Sequence, residues 1–147
     1  LPVRNPEDWT LAQGKANGNS TIIRALARVP MAEQRAARPM LVSITWAYDG
    51  EATAGMPSRA VYDRIEGFES VLFAALDAGT AEGGDWATEA AAITGNGARQ
   101  WRFYAADAED FIARFTTALA GETIYPIELE AVDDPDWQGL RDVQPKG

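Results

Sequence analysis

The side chains that most often carry chemistry near neutral pH are missing from this sequence, which holds neither His nor Cys in 147 residues. Imidazole is the group whose ordinary pKa lies closest to neutrality, so a Ser-His-Asp relay and a His-ligated zinc are excluded. Without thiols, disulfides, thiolate nucleophiles and thiolate metal sites are excluded as well. The remaining acid–base groups are the carboxylates, Tyr48, Tyr62, Tyr104 and Tyr125, and the lysines Lys15 and Lys146. Two carboxylates can serve as acid and base when their surroundings split their pKa values, but no spacing singles out such a pair. The Gly-rich pieces at 79–84 and 95–97 lack the spacing and the Lys-Ser/Thr step of a phosphate loop. The expectation is a protein without catalytic residues, cofactor or metal.

The densest cluster of one chemical type is acidic. Glu128, Glu130, Asp133, Asp134 and Asp136 fall between positions 128 and 136. A calcium loop needs acidic residues at alternating positions, then a Gly and a distant bidentate Glu, and Asp133-Asp134-Pro135-Asp136-Trp137 does not supply them. Two readings stand. The segment is a solvated face closed by an Asp-Pro turn, or it is a partner-binding surface that imitates the charge spacing of a nucleic acid and docks in a basic enzyme cleft.

Charge is unevenly distributed. Residues 1–38 hold six Arg/Lys against three Asp/Glu, while 39–147 hold seven against nineteen, so the arm carries +3 and the body −12 of the net −9. An acidic body repels phosphate backbones and anionic lipid and attracts cationic partners. Nucleic acid and membrane are therefore not expected as partners. No run approaches the roughly 18 apolar residues of a membrane span, so a soluble protein is expected; the absence of Cys fits the cytosol or any other compartment equally, and cytoplasmic is the expected location.

These groups are positioned by elements that the hydrophobic pattern makes legible. Residues 8–13 and 20–26 are β-prone runs around a Gly/Asn cluster, which reads as a hairpin, and 30–38 form a connector. Met40, Val42, Ile44, Trp46 and Tyr48 alternate along a strand. Ser58 is placed to cap a helix whose stripe is Val61, Ile65, Phe68, Leu72 and Leu76, widened by Tyr62 and Phe73, with Gly79 as its C-terminal stop. Trp86 to Thr94 and Arg99 to Ala105 flank a Gly95-Asn96-Gly97 turn, with Trp101 and Phe103 on one face and Gln100, Arg102 and Tyr104 on the other. Asp107 caps a second helix bearing Phe111, Ile112, Phe115, Ala118 and Leu119, closed by Gly121. A last strand, from Tyr125 to Val132, turns Ile127, Leu129 and Ala131 inward and Glu128 and Glu130 outward. Trp137 folds back as an apolar plug, and Trp9 anchors the hairpin.

From residue 40 the order is strand, helix, strand, strand, helix, strand. Two right-handed crossovers with both helices on one face give an α+β, ferredoxin-like split βαβ core, with the first and third strands central and Trp46 near Trp101. The expected organisation is an N-terminal hairpin arm, 1–38, packed on a ferredoxin-like domain with a C-terminal extension, 39–147.

Trp9, the strand Trp46-Ala47-Tyr48, the helix entry Gly55-Met56-Pro57, the run from Arg99 to Tyr104, and Asp134-Pro135-Asp136-Trp137 together resemble the bacterial family known as domain of unknown function 695. That family is distantly similar to the regulator B family that controls ribonuclease E, whose members have a ferredoxin-like core and act by binding an enzyme. The resemblance implies a binding role, with no catalytic residues to carry over. The expected function is thus inhibition or regulation of another enzyme, a nuclease or a toxin with a basic surface. The alternative is a small-ligand or carboxylate-based hydrolytic domain using a cleft between the arm and the sheet.

Overall fold

Alternation of apolar and polar residues dominates the chain, and in the computed structural model the result is one antiparallel sheet. The structure describes residues 8–16, 18–81, 86–122 and 124–145. Strands β1 (Trp9–Ala16) and β2 (Asn19–Leu26) form the N-terminal hairpin, followed by the short helix α1 (Ala32–Ala37) and strand β3 (Met40–Ala47). A 3-10 turn at Glu51–Thr53 leads to the long helix α2 (Arg59–Ala81), then β4 (Thr88–Gly95), β5 (Ala98–Ala105), α3 (Ala108–Ala118), β6 (Ile127–Asp133) and α4 (Gln138–Arg141).

The sheet order is β1-β2-β4-β5-β3-β6. Its last four strands have the interleaved order of the split βαβ plan: β5 lies between the strands joined by α2, and β3 between those joined by α3. The N-terminal hairpin joins this core edge to edge, through β2 pairing with β4 from Thr21↔Gly95 to Ala25↔Ala91. The arm is therefore two further strands of the same sheet. Among the described residues no helix is long and apolar enough to cross a membrane.

Strand parity assigns the two faces. Val42, Ile44 and Trp46 of β3 and Trp101 and Phe103 of β5 are fully or almost fully buried under α2 and α3, with Ile65, Phe68, Leu72, Phe111 and Phe115. Phe68 sits at the centre, its ring 5.1 Å from that of Trp101 and 6.0 Å from that of Trp46, so the expected proximity of the two tryptophans is met through this phenyl ring. The tilted and edge-on geometries suit the aromatic quadrupoles. The opposite face has a smaller core of Ala25, Ala90, Ala91, Tyr104, Trp137 and Leu140.

Helix and turn chemistry follows the local sequence. Ser58 Oγ accepts from the Val61 N–H and Asp107 Oδ1 from the Glu109 N–H, each satisfying a donor that the first helical turn leaves free. Asn96 and Gly97 have φ of 54° and 81°, the left-handed pair that matches the twist of a two-residue hairpin turn.

Several expectations are corrected. Gly79 lies inside α2, which runs on to Ala81, and is buried in the groove between α2 and α3 beside Trp86. Trp86 precedes β4, because its indole turns under the helices, 5.1 Å from the Phe111 ring, and donates to the Ala75 carbonyl. Ile112 is 44% exposed, and so does not join Phe111 and Phe115 in the core. Ala131 is exposed despite its inward register, since β6 is an outermost strand. The strands of the first hairpin reach further than expected, as β1 extends through Gly14 to Ala16 and β2 begins at Asn19. Of the Gly-rich piece at 79–84 considered for phosphate, 82–84 lie outside the described residues, as does Lys146.

Candidate interaction surface

β6 is held by β3 on one side only and ends the sheet. Its register places Glu128 beside Thr45 and Glu130 beside Ser43, on the face that the long helices do not cover. Two residues apart along a strand, these carboxylates are separated by about 7 Å. The same rows continue into β5, where Thr45 lies beside Gln100 and Ser43 beside Arg102. Gln100 donates to Thr45 Oγ1 at 3.2 Å and Arg102 Nε donates to Gln100 Oε1 at 2.8 Å, while Arg102 Nη1 donates to the Gly139 carbonyl at 2.7 Å. The result is a hydrogen-bonded polar shelf with two exposed carboxylates on its outer rim.

The other three acidic residues are not on that rim. Asp133 pairs with Met40 and by parity belongs to the helix-covered face, at the strand's end, where it is exposed. Asp136 is exposed in the following turn, and its backbone carbonyl accepts from Arg141 Nε. Asp134 is turned inward. Its Oδ2 accepts from the Tyr104 hydroxyl at 2.6 Å and from the Gly139 N–H at 2.8 Å, and its Oδ1 accepts from the Gln138 N–H at 2.8 Å. The structure thus brings Glu128 and Glu130 together, leaves Asp133 and Asp136 nearby, and commits Asp134 to holding α4.

Burial acts against the charge of Asp134, yet the hydrogen bonds from Tyr104, Gly139 and Gln138, with the Arg102 guanidinium nearby, outweigh it and hold the carboxyl below its ordinary pKa. The Tyr104 hydroxyl is pushed well above its ordinary value by burial and then by its bond to Asp134. The pair stays ionised carboxylate and neutral phenol across the physiological range.

Sequence reasoning missed Tyr104 as a buried residue, because alternation places it with Gln100 and Arg102 on the polar side. Its ring lies flat against Trp137, centroids 4.0 Å apart with planes 6° from parallel. Trp137 is the plug foreseen from its place after an Asp-Pro turn; it is 1% exposed, and its indole N–H donates to the Arg38 carbonyl at 2.9 Å. Trp9 is half-buried at the other end of the sheet, with the Arg24 guanidinium 5.1 Å from its ring centroid. Arg24 is in turn paired with Glu89 of β4 at 3.4 Å, so this stack ties the hairpin to the core.

Two concavities adjoin the arm: one, at the Asn19 end of β2, is lined by residues that include Tyr48, Asp49 and Glu51, and the other lies between the hairpin and the start of α2. Among the described residues that line the second are three arginines and neither an Asp nor a Glu, so it is not built of converging carboxylates. Nor does any group of three or more Asp and Glu among the described residues stand ready to hold a metal ion.

Residues 7–143 match the model of a family of unknown function, DUF695. The chain belongs to the DUF695 family. No curated protein and no solved structure matches it. In this DUF695 chain the residues that carry the likeness shape the fold. Trp46 and Trp101 fill the main core and Trp137 the second one. Tyr48 donates to the Gly55 carbonyl at 2.7 Å. Gly55 itself has φ of 89°, and a Cβ there would lie 2.7 Å from the Asn96 nitrogen.

Proposed function

We propose that this DUF695 protein is a non-catalytic binding domain that regulates or inhibits another enzyme, a nuclease or toxin with a basic surface, by docking its acidic β6 edge against that enzyme. The observation that carries this reading is the placement of Glu128 and Glu130 on an outermost strand, exposed, on the face not covered by α2 and α3. Asp133 and Asp136 add charge at one end of the same edge. Asp134 has a supporting role, since it fixes the turn from which Asp136 projects.

The body charge of −12 favours a cationic partner, and long-range attraction of this kind raises the association rate and makes it salt-sensitive. The edge strand has paired backbone on one side only, and the glutamates that line it repel a second copy of themselves while suiting a basic partner.

The experiment is capture from source-cell extract with immobilised protein, in parallel with the variant E128K/E130K and a control variant, E66K/E109K, which alters exposed helix residues by the same charge. The reading expects one protein that is retained by the wild type and the control, lost with the β6 variant, and released at roughly 1 M salt, where the screening length is about 3 Å. Enzyme activity of the captured protein should fall on adding wild type. Equal retention by both variants would remove β6 as the docking edge.

A further inference from the structure

The sheet has six strands, but α2 and α3 cover only the core ones, so the helix-side face of the hairpin is left beside the first turns of α2. Strand parity and pairing put Leu11 of β1 and Ile22 and Arg24 of β2 on that face, in line with the inward positions of β4. Leu11 is 76% exposed, Ile22 38% and Tyr62 of α2 44%. These three large apolar side chains line one groove of about 530 Å³. Isolated exposed apolar residues are ordinary, whereas three converging on one concavity indicate a surface with an occupant.

Charge identifies that occupant's chemistry. In a protein of net charge −9, the groove is lined by Arg24, Arg59 and Arg99 and by no carboxylate among its described lining residues. Arg99 is committed inward, with Nη1 donating to Thr94 Oγ1 at 2.6 Å and Nη2 to Glu69 at 2.7 Å, so its charge is compensated and it forms a fixed floor. Arg24 meets Glu89 only at 3.4 Å and Arg59 meets Asp63 at 3.2 Å on the surface. A guanidinium has five N–H donors, so each of these rim residues keeps donors for a ligand. Each guanidinium is ion-paired with a carboxylate outside the described lining, Glu89, Asp63 or Glu69, so the groove itself offers a ligand N–H donors and no carboxylate among its described lining residues.

We infer that this groove binds a small anionic amphiphile, its carboxylate or phosphate held by Arg24 and Arg59 and its apolar body lying on Leu11, Ile22 and Tyr62. The volume falls in the range of small-molecule sites, which favours such a ligand over a macromolecule. The groove lies at the hairpin end of the sheet, away from β6, so this inference is independent of the proposed function.

The test is titration of the full chain, by calorimetry and by amide shifts in NMR, with decanoate, decyl phosphate, decyltrimethylammonium and decanol, each below its micellar concentration. One of the two anions should bind one-to-one, with shifts centred on Leu11, Ile22 and Tyr62. The cation and the alcohol should bind at least about tenfold more weakly, the scale of a lost charge-assisted hydrogen bond. The preference between decanoate and decyl phosphate tells which anionic head the site takes. R24Q/R59Q should weaken the anion about tenfold, and L11E, at a mostly exposed position, should weaken it with thermal unfolding unchanged. Equal binding of decanol or of the cation, or shifts mapping elsewhere, overturns the inference. So does self-association abolished by L11E, which would give the groove to a second copy, and so does a groove filled only by a captured protein.

Discussion

Tyr104 on β5 and Asp134, thirty positions later in the chain, share a 2.6 Å hydrogen bond that fastens the turn before α4 to the sheet. The same carboxylate accepts two backbone N–H groups of the α4 turn, and the Tyr104 ring supports Trp137. Removing the hydroxyl in Y104F leaves the stack and takes one hydrogen bond from a half-buried carboxylate. A loss of about 1–2 kcal/mol in urea unfolding is expected, with the Asp134 carboxyl, followed by NMR titration, moving up toward its ordinary pKa.

The same pair sets a pH window. Asp134 has a folded pKa below its unfolded one, so the stability it contributes is present above the ordinary carboxyl range, near pH 4, and is lost as pH falls toward the folded value. Tyr104 is shifted the other way: its folded pKa is raised, so its contribution is complete below about pH 10 and is lost as pH rises beyond it. Denaturation midpoints measured against pH should fall at both ends. D134N, less stable at neutral pH, should show a shallower acid limb, and Y104F a shallower alkaline one.

Trp137 and Gly139 test the second core. W137A removes the stacked ring and the donor to Arg38 and should cost about 3–5 kcal/mol, the usual range for emptying a buried aromatic site. At Gly139 an added Cβ would lie 2.7 Å from Leu41 Cδ2 and 2.9 Å from the Tyr104 hydroxyl. G139A should therefore cost about 1–3 kcal/mol by overpacking. Near-UV circular dichroism, which reports the Tyr104–Trp137 stack, should change more in the first variant than in the second.

Glu69 Oε2 accepts from both Arg99 Nη2 and the Trp101 indole, each at 2.7 Å, in a site where the Arg99 and Glu69 side chains are only 16% and 18% exposed. The Arg99 Nε is already buried without a partner. E69Q should cost about 2–3 kcal/mol, because it leaves a largely buried guanidinium uncompensated, and E69Q/R99Q should recover part of that loss. D110N, which breaks an exposed pair with Arg114, should change stability by less than about 1 kcal/mol. Chemical denaturation of the four proteins separates these outcomes.

The hairpin depends on Gly95. Its φ is 139°, and a Cβ there would meet the Ser20 carbonyl oxygen at 2.6 Å, where β2 crosses β4. G95A should loosen the β2–β4 ladder while leaving the β3–β5 ladder in place. Amide exchange at Ile22 to Arg24 should quicken well before exchange at Ile44 or Trp101.

Much of this architecture is legible in the residues. The alternation of β3, the stripe of α2, the Asn96-Gly97 turn and the caps at Ser58 and Asp107 lead to the split βαβ order and to the central place of Trp46 and Trp101. What alternation does not reveal is coverage supplied from elsewhere in the chain. Tyr104 reads as solvent-facing until the segment after Asp134 is laid over it, and Ala131 reads as buried until β6 is known to lie outermost. The acidic cluster shows the same limit. Five carboxylates close in sequence read as one surface, whereas parity divides Glu128 and Glu130 from Asp133, and hydrogen bonding withdraws Asp134. The arginine-lined groove joins residues from both halves of the chain, and no local pattern announces it.

The closing of the second face by the final segment bears on how the protein is made. Trp137 donates to the Arg38 carbonyl across 99 positions, and Gln144 to the Leu26 carbonyl across 118. During synthesis the hairpin, β3 and the two long helices emerge first, leaving Tyr104, Ala25 and Ala91 uncovered until the segment from Asp134 to Gln144 follows. Contacts of such wide sequence separation form late and slowly. The nascent chain therefore passes through a stage in which an apolar patch on its sheet is open, and the emergence of Trp137 and Leu140 ends that stage.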